Sequence, residues 1–194
     1  PLTLHDDGPD CAVWCTYKDL NAGPGAIAGA FIHARHHERE DLTRLEGWWG
    51  VGLDRRFLME QTFHPALGAD AWQLSTPPTL AMAPICASLD IFEQAGFEAL
   101  RAQSLELTNV LEQLIHEQAE DRLDILTPSD PASRGCQLSL RVREGREAGK
   151  ALFEHLVARG VIGDWREPDI IRVAPVPLYN RYEDCWNLVR SCLV

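Results

Sequence analysis

The run Cys15-Thr16-Tyr17-Lys18-Asp19-Leu20-Asn21-Ala22-Gly23-Pro24-Gly25 sets a lysine between two apolar segments. Before it, Cys11-Ala-Val-Trp-Cys-Thr-Tyr17 is rich in strand formers. After it comes a second such run, Gly25-Ala-Ile-Ala-Gly-Ala-Phe-Ile32. Both read as strands covered on both faces, the interior of an α/β sheet. Lys18 then falls at the end of a buried strand, just ahead of a glycine-rich turn. Desolvation there disfavours the ammonium and leaves a neutral amine able to attack an aldehyde. On position alone, a strand-end lysine is more often a solvated surface residue.

Outward from this stretch, residues 33 to 66 are polar and punctuated, with Trp48-Trp49 between Gly47 and Gly50, and they read as a long functional loop. Thr76 before Pro77-Pro78 suggests a helix N-cap, opening a buried helix that runs to Phe92. A second helix, wet on one face, follows from Leu100, Ser104, Leu107, Leu111 and Leu114. Beyond Leu123 the period changes. Cys136, Leu138, Leu140 and Val142 alternate with polar residues, which predicts a strand with one buried face in an antiparallel sheet. An amphipathic helix spans 148 to 159 and stops at Gly160, short strands cover 161–165 and 170–173, and Asn180-x-x-Glu183 suggests a capping box. The last helix should carry Trp186, Val189 and Leu193 on one side. Two domains are expected, residues 1–94 and 95–194.

The composition narrows the function. With 194 residues, 45% of them apolar, the chain can bury a sizeable core. A net charge of −11 leaves no broad basic surface for nucleic acid. Neither a membrane-spanning apolar run nor a signal peptide is visible, so the expected setting is the cytoplasm. Six dispersed cysteines without Cys-x-x-Cys read as buried free thiols. His33, His36, His37 and Glu38 invite a metal reading, but their spacing is not that of a zinc site and no metal is expected. Entry into a strand pattern within a dozen positions, without a leading Met, reads as a fragment.

The string Thr-Tyr-Lys-x-Leu-Asn-x-Gly-Pro-Gly resembles the cofactor-lysine segment of kynureninases, among the fold-type I enzymes that use pyridoxal 5'-phosphate (PLP). Further motifs resemble that family in order: Gly47-Trp48-Trp49-Gly50 with Arg56-Phe57-Leu58-Met59, Trp72-Gln73-Leu74-Ser75-Thr76-Pro77-Pro78, Arg134-Gly135-Cys136-Gln137-Leu138-Ser139, Asp164-Trp165-Arg166, and Ile171-Arg172-Val173-Ala174-Pro175-Val176-Pro177-Leu178-Tyr179. The resemblance implies an α/β fold, with residues 1–94 as the carboxy-terminal part of the large PLP-binding domain and 95–194 as the small α/β domain. It also implies a homodimeric parent that hydrolyses L-kynurenine, or its 3-hydroxy relative, to an anthranilate and L-alanine in tryptophan catabolism and NAD biosynthesis.

Roles carry over where residues match. Lys18 would bind PLP as a Schiff base and shuttle the substrate α-proton. Tyr17 would hold the cofactor phosphate and donate a proton in the cleavage step. The indole N–H of Trp48 and the hydroxyl of Thr76 would also hold the phosphate, in some members across a dimer interface. Trp49 would line the substrate pocket, and the planar fork of Arg172 would pair with the substrate α-carboxylate. Without the resemblance, the tryptophans would read as core or interface residues, Thr76 as a cap and Arg172 as a solvated strand-end charge.

Two positions depart from the family pattern. Val51 stands where His is common, and Asp19 where an aromatic residue usually follows the lysine. Because the pyridinium-binding Asp, the stacking ring and further phosphate ligands come from the other half in this family, the isolated chain is expected to be inactive. The alternatives are another PLP enzyme of the same fold, cysteine desulfurase-like or aminotransferase-like, and a non-catalytic paralogue or partner subunit.

Overall fold

Where apolar residues alternate or recur at helical spacing, the chain builds its core, and nearly all of that core lies in its second half. The computed structural model describes residues 2–18 and 20–193; Asp19, singled out above, lies outside the described residues. Two units are distinguished, Pro1–Gln94 and Ala95–Val194.

The first unit begins with a short helix α1 (Leu4–Asp7), followed by strands β1 (Cys11–Trp14) and β2 (Gly29–Ile32). The strands form a two-stranded antiparallel ribbon with Trp14 opposite Gly29. A Cβ on residue 29 would lie within the Trp14 indole, so the indole keeps this position only over glycine. The expectation of strands covered on both faces fails for this ribbon: Val13 is 79% exposed and Trp14 42%. Apolar composition states what a strand can bury, whereas actual burial depends on neighbouring elements. Residues 33–66 are largely irregular, as expected, with short 3-10 turns at Ala34–His36, Trp48–Gly50 and Arg56–Leu58 and a bridge between Val51 and Pro65, and a further 3-10 turn, Gly68–Trp72, follows before the next helix. Helix α2 (Thr79–Ala95) closes the unit. It starts after Pro78, so Thr76 is not its N-cap, and its face is exposed at Leu80, Leu89 and Ile91 rather than buried all round.

The second unit has two layers. Strands β3 (Leu123–Ile125), β4 (Leu138–Val142), β5 (Asp164–Arg166) and β6 (Ile170–Val173) form an antiparallel sheet in the order β3-β4-β6-β5. Helices α3 (Phe97–Gln118), α4 (Arg146–Ala158) and α5 (Tyr182–Cys192) pack with it. The alternation read in the sequence is realised: Leu138, Leu140 and Val142 are buried in one core with Leu107, Leu111 and Ile115 of α3. Each fully buried aliphatic side chain of this kind contributes about 1.5–3 kcal/mol. Helix α4 ends one residue before Arg159, with Gly160 in a left-handed conformation (φ +84°) that favours glycine.

Two details of α5 differ from expectation. Its N-cap is Arg181, and the Asp184 carboxylate accepts the Arg181 backbone N–H at 2.9 Å, because Asn180 is engaged one step earlier, accepting the Val176 N–H at 2.8 Å. The buried face is Cys185, Leu188, Val189 and Cys192; Trp186 and Leu193 are exposed. Of the six cysteines, only Cys185 and Cys192 are buried. Among the described residues, no helix is long and apolar enough to cross a membrane.

Candidate functional site

The lysine segment leaves regular structure after Trp14, so Lys18 lies on a bend rather than at a strand end, and both it and Tyr17 are exposed. The lysine is therefore not desolvated by a covering sheet in this chain. Its ammonium lies 5.7 Å from the centre of the Tyr17 ring. The backbone around it is closely tied. The Thr16 hydroxyl donates to the Ile27 carbonyl, the Asn21 N–H to the Lys18 carbonyl (2.8 Å) and the Ala22 N–H to the Thr16 carbonyl (3.1 Å). From α2, the buried Ser88 hydroxyl donates to the Leu20 carbonyl. Asn21 (φ +54°) and Gly23 (φ +80°) supply the left-handed residues that fold the chain back under this bend.

The Trp48 motif is built by close backbone packing. A Cβ on Gly47 would fall inside the Leu74 backbone, and one on Gly50 would meet the Gln73 and Ala71 carbonyls, so both glycines are needed where the turn crosses residues 71–74. The structure thereby brings the Gly47–Gly50 motif against the strip that leads two residues on to Thr76, whose side chain is exposed. Trp48 is exposed, and its ring meets Trp49 edge-on at 5.2 Å and Phe57 at 5.9 Å. Arg56 stacks on Trp49 with its guanidinium carbon 4.2 Å from the ring centre. The sequence shows Arg56 as part of a motif but gives it no task, since its contacts reach back seven residues through a turn.

Arg172 belongs to the second unit, on β6 opposite Asp164 of β5. Its Nε donates to one Asp164 oxygen at 2.6 Å, and its Nη2 donates to the same oxygen. Burial pushes the Asp164 carboxyl upward, but the bonds and charges of Arg172 and Arg166 outweigh it and hold the carboxyl below its ordinary range. The loop histidines are engaged with protein atoms: His36 Nε2 lies 2.7 Å from Asp10, His37 Nε2 3.1 Å from the Ile32 carbonyl and His33 Nε2 3.1 Å from the His5 carbonyl.

Solved structures share this fold. The cystine C-S lyase C-DES in complex with its reaction product cysteine persulfide superposes over the whole chain and 48% of its own (TM-score 0.77, 20% identity). A cysteine desulfurase from Thermococcus onnurineus NA1 does so over 98% of this chain and 48% of its own (TM-score 0.70, 12% identity). A C-DES mutant with glycine covalently linked to its PLP cofactor matches 85% of this chain and 41% of its own (TM-score 0.64, 20% identity). The fold is thus the fold-type I fold of these solved structures, the chain matching slightly less than half of each.

Sequence comparison points to kynureninases. Residues 100–192 match the family model of the kynureninase C-terminal domain. The chain is 62% identical over 191 residues to the kynureninase of Xanthomonas euvesicatoria pv. vesicatoria (strain 85-10), and 60% identical over 191 residues to that of Stenotrophomonas maltophilia (strain K279a). Each alignment covers 98% of this chain and 45% of the relative, so the chain spans somewhat less than half the length of these curated relatives. The similarity is to a carboxy-terminal portion of kynureninases.

Proposed function

We propose that the full-length protein is a kynureninase, cleaving L-kynurenine or its 3-hydroxy relative by hydrolysis to an anthranilate and L-alanine, and that this chain carries its cofactor lysine. The observation that carries the reading is Lys18: an exposed amine on a bend whose backbone is fixed from both sides, in a chain 62% identical to a kynureninase. The donor set suits PLP. It offers a primary amine for the aldehyde carbon, and the Tyr17 hydroxyl, Trp48 indole N–H and Thr76 hydroxyl for phosphate oxygens, all on exposed side chains. When bound, PLP supplies the electron sink that stabilises charge at the substrate α-carbon.

This chain's residues supply the rest. Lys18 holds the cofactor and, once released by substrate, takes and returns the α-proton. Tyr17, beside it, donates a proton during cleavage of the carbon–carbon bond. Arg172 pairs with the substrate α-carboxylate, using the edge of its fork not given to Asp164, and Trp49 lines the substrate pocket. In the first unit Val13, Leu53, Met59 and Leu80 are each more than 70% exposed, an apolar surface suited to cover by the remainder of a cytoplasmic, homodimeric parent. The test is to supply the full-length protein with PLP and kynurenine and follow anthranilate fluorescence. Product is expected, with none from Lys18→Ala; no product above that control, or turnover of cysteine or transamination substrates instead, overturns the reading.

A further inference from the structure

We infer that Arg56 is a positioning residue for Trp48, clamping the Gly47–Gly50 turn so that the Trp48 indole is presented outward to the cofactor phosphate. The inference rests on the proposed phosphate role of Trp48. Arg56 Nη2 donates to the carbonyls of Trp49 (2.9 Å) and Val51 (3.0 Å), and its Nε reaches the Val51 carbonyl at 3.3 Å. The guanidinium face lies on Trp49 at 4.2 Å and 6.0 Å from the Trp48 centroid. A planar fork that bonds at its edge and stacks on its face can serve both partners at once, which a lysine ammonium cannot.

The surroundings fix the clamp itself. The Gly52 carbonyl accepts the N–H groups of Arg55 (3.0 Å) and Arg56 (2.8 Å), closing the turn that brings Arg56 back over residues 49–51. Phe57, next in the chain, packs edge-on against Trp48. Gly47 and Gly50 press the other side of the turn onto residues 71–74. Trp49 is thus held by its carbonyl and its ring, leaving Trp48 as the exposed member of the pair.

The test uses the full-length protein with Arg56→Met, Arg56→Lys, Trp48→Phe and Lys18→Ala variants. Two quantities are read: the PLP dissociation constant, and the near-ultraviolet circular dichroism of the Trp48–Trp49 pair without PLP. Arg56→Met and Arg56→Lys should both lose the Trp48–Trp49 signal, identified as the one that Trp48→Phe removes. Both should weaken PLP about tenfold, the scale of one lost charge-assisted contact. Unchanged dichroism and unchanged PLP affinity in a folded Arg56→Met protein overturns the inference, as does full rescue by Arg56→Lys, which would assign the effect to charge alone. Loss of the dichroism with PLP affinity unaltered in both Arg56→Met and Trp48→Phe keeps the clamp and removes the phosphate role of Trp48. Lys18→Ala, which leaves the tryptophan pair intact, should keep the dichroism while abolishing covalent capture of PLP, so failure of the lysine reading shows separately.

Discussion

Arg172 and Asp164 face each other across β6 and β5, with Nε and Nη2 of the arginine both directed at one carboxylate oxygen. The pair leaves both side chains partly open to solvent, at 31% and 44%. Such a carboxylate fixes the plane of the guanidinium while competing with a second carboxylate for it. In the full-length protein, Arg172→Ala should lower kcat/KM for kynurenine about 10- to 150-fold, mostly through KM, as expected for about 1.5–3 kcal/mol of charged hydrogen bonding. An unchanged KM would remove Arg172 from the substrate site.

Arg134 and Glu112 form the buried ion pair of the second unit, at 2.5 Å, with side-chain exposures of 3% and 16%. Arg134 also donates to Asn109 (3.1 Å) and to the Pro128 carbonyl (3.2 Å), which pins the loop before β4 onto α3. Removing one partner leaves a buried charge, so Arg134→Met should destabilise by about 3–5 kcal/mol in urea unfolding. The double variant Arg134→Met, Glu112→Leu should recover a large part of that loss.

These cases show where the sequence was readable. The alternation at Leu138, Leu140 and Val142 reports a one-sided strand because the side-chain period along a strand matches the burial period, and the structure buries those three residues. The same logic misjudged β1 and β2, where composition indicates a capacity for burial without naming the cover. Helix α5 starts one residue later than the Asn180 motif indicates, because Asn180 and Arg181 are adjacent and only the tertiary path shows that Asn180 serves Val176. In the candidate site, the tying of the lysine bend by Ser88 joins residues 68 positions apart and leaves no local pattern. The Arg56 clamp on Trp49 is likewise a matter of a turn's geometry.

Glycine at 47 should be indispensable to the Trp48 turn. In Gly47→Ala the added methyl meets the Leu74 backbone, which has no flexible end to swing aside. The variant is expected to alter the tryptophan emission and increase protease cleavage between residues 47 and 75. An unchanged digestion pattern and spectrum would show that the strip yields.

Burial pushes the Cys185 and Cys192 thiols up to about 11. In the unfolded chain a thiol ionises near about 8.5, so unfolding above that pH releases protons that the folded state retains. This contribution to stability is fully present below about pH 8.5 and is lost as pH rises toward 11. Urea midpoints should fall over that range, and less so in Cys192→Ala. At pH 8, a thiol reagent should modify the exposed Cys11 and Cys86 well before either buried cysteine.

The central claim is that Lys18 is the amine that takes the cofactor. Borohydride reduction of the full-length protein with PLP, followed by peptide mapping, tests it most directly. A stable phosphopyridoxyl label on Lys18, absent from Lys18→Ala, is the expected result; labelling of another lysine, or of none, contradicts the account.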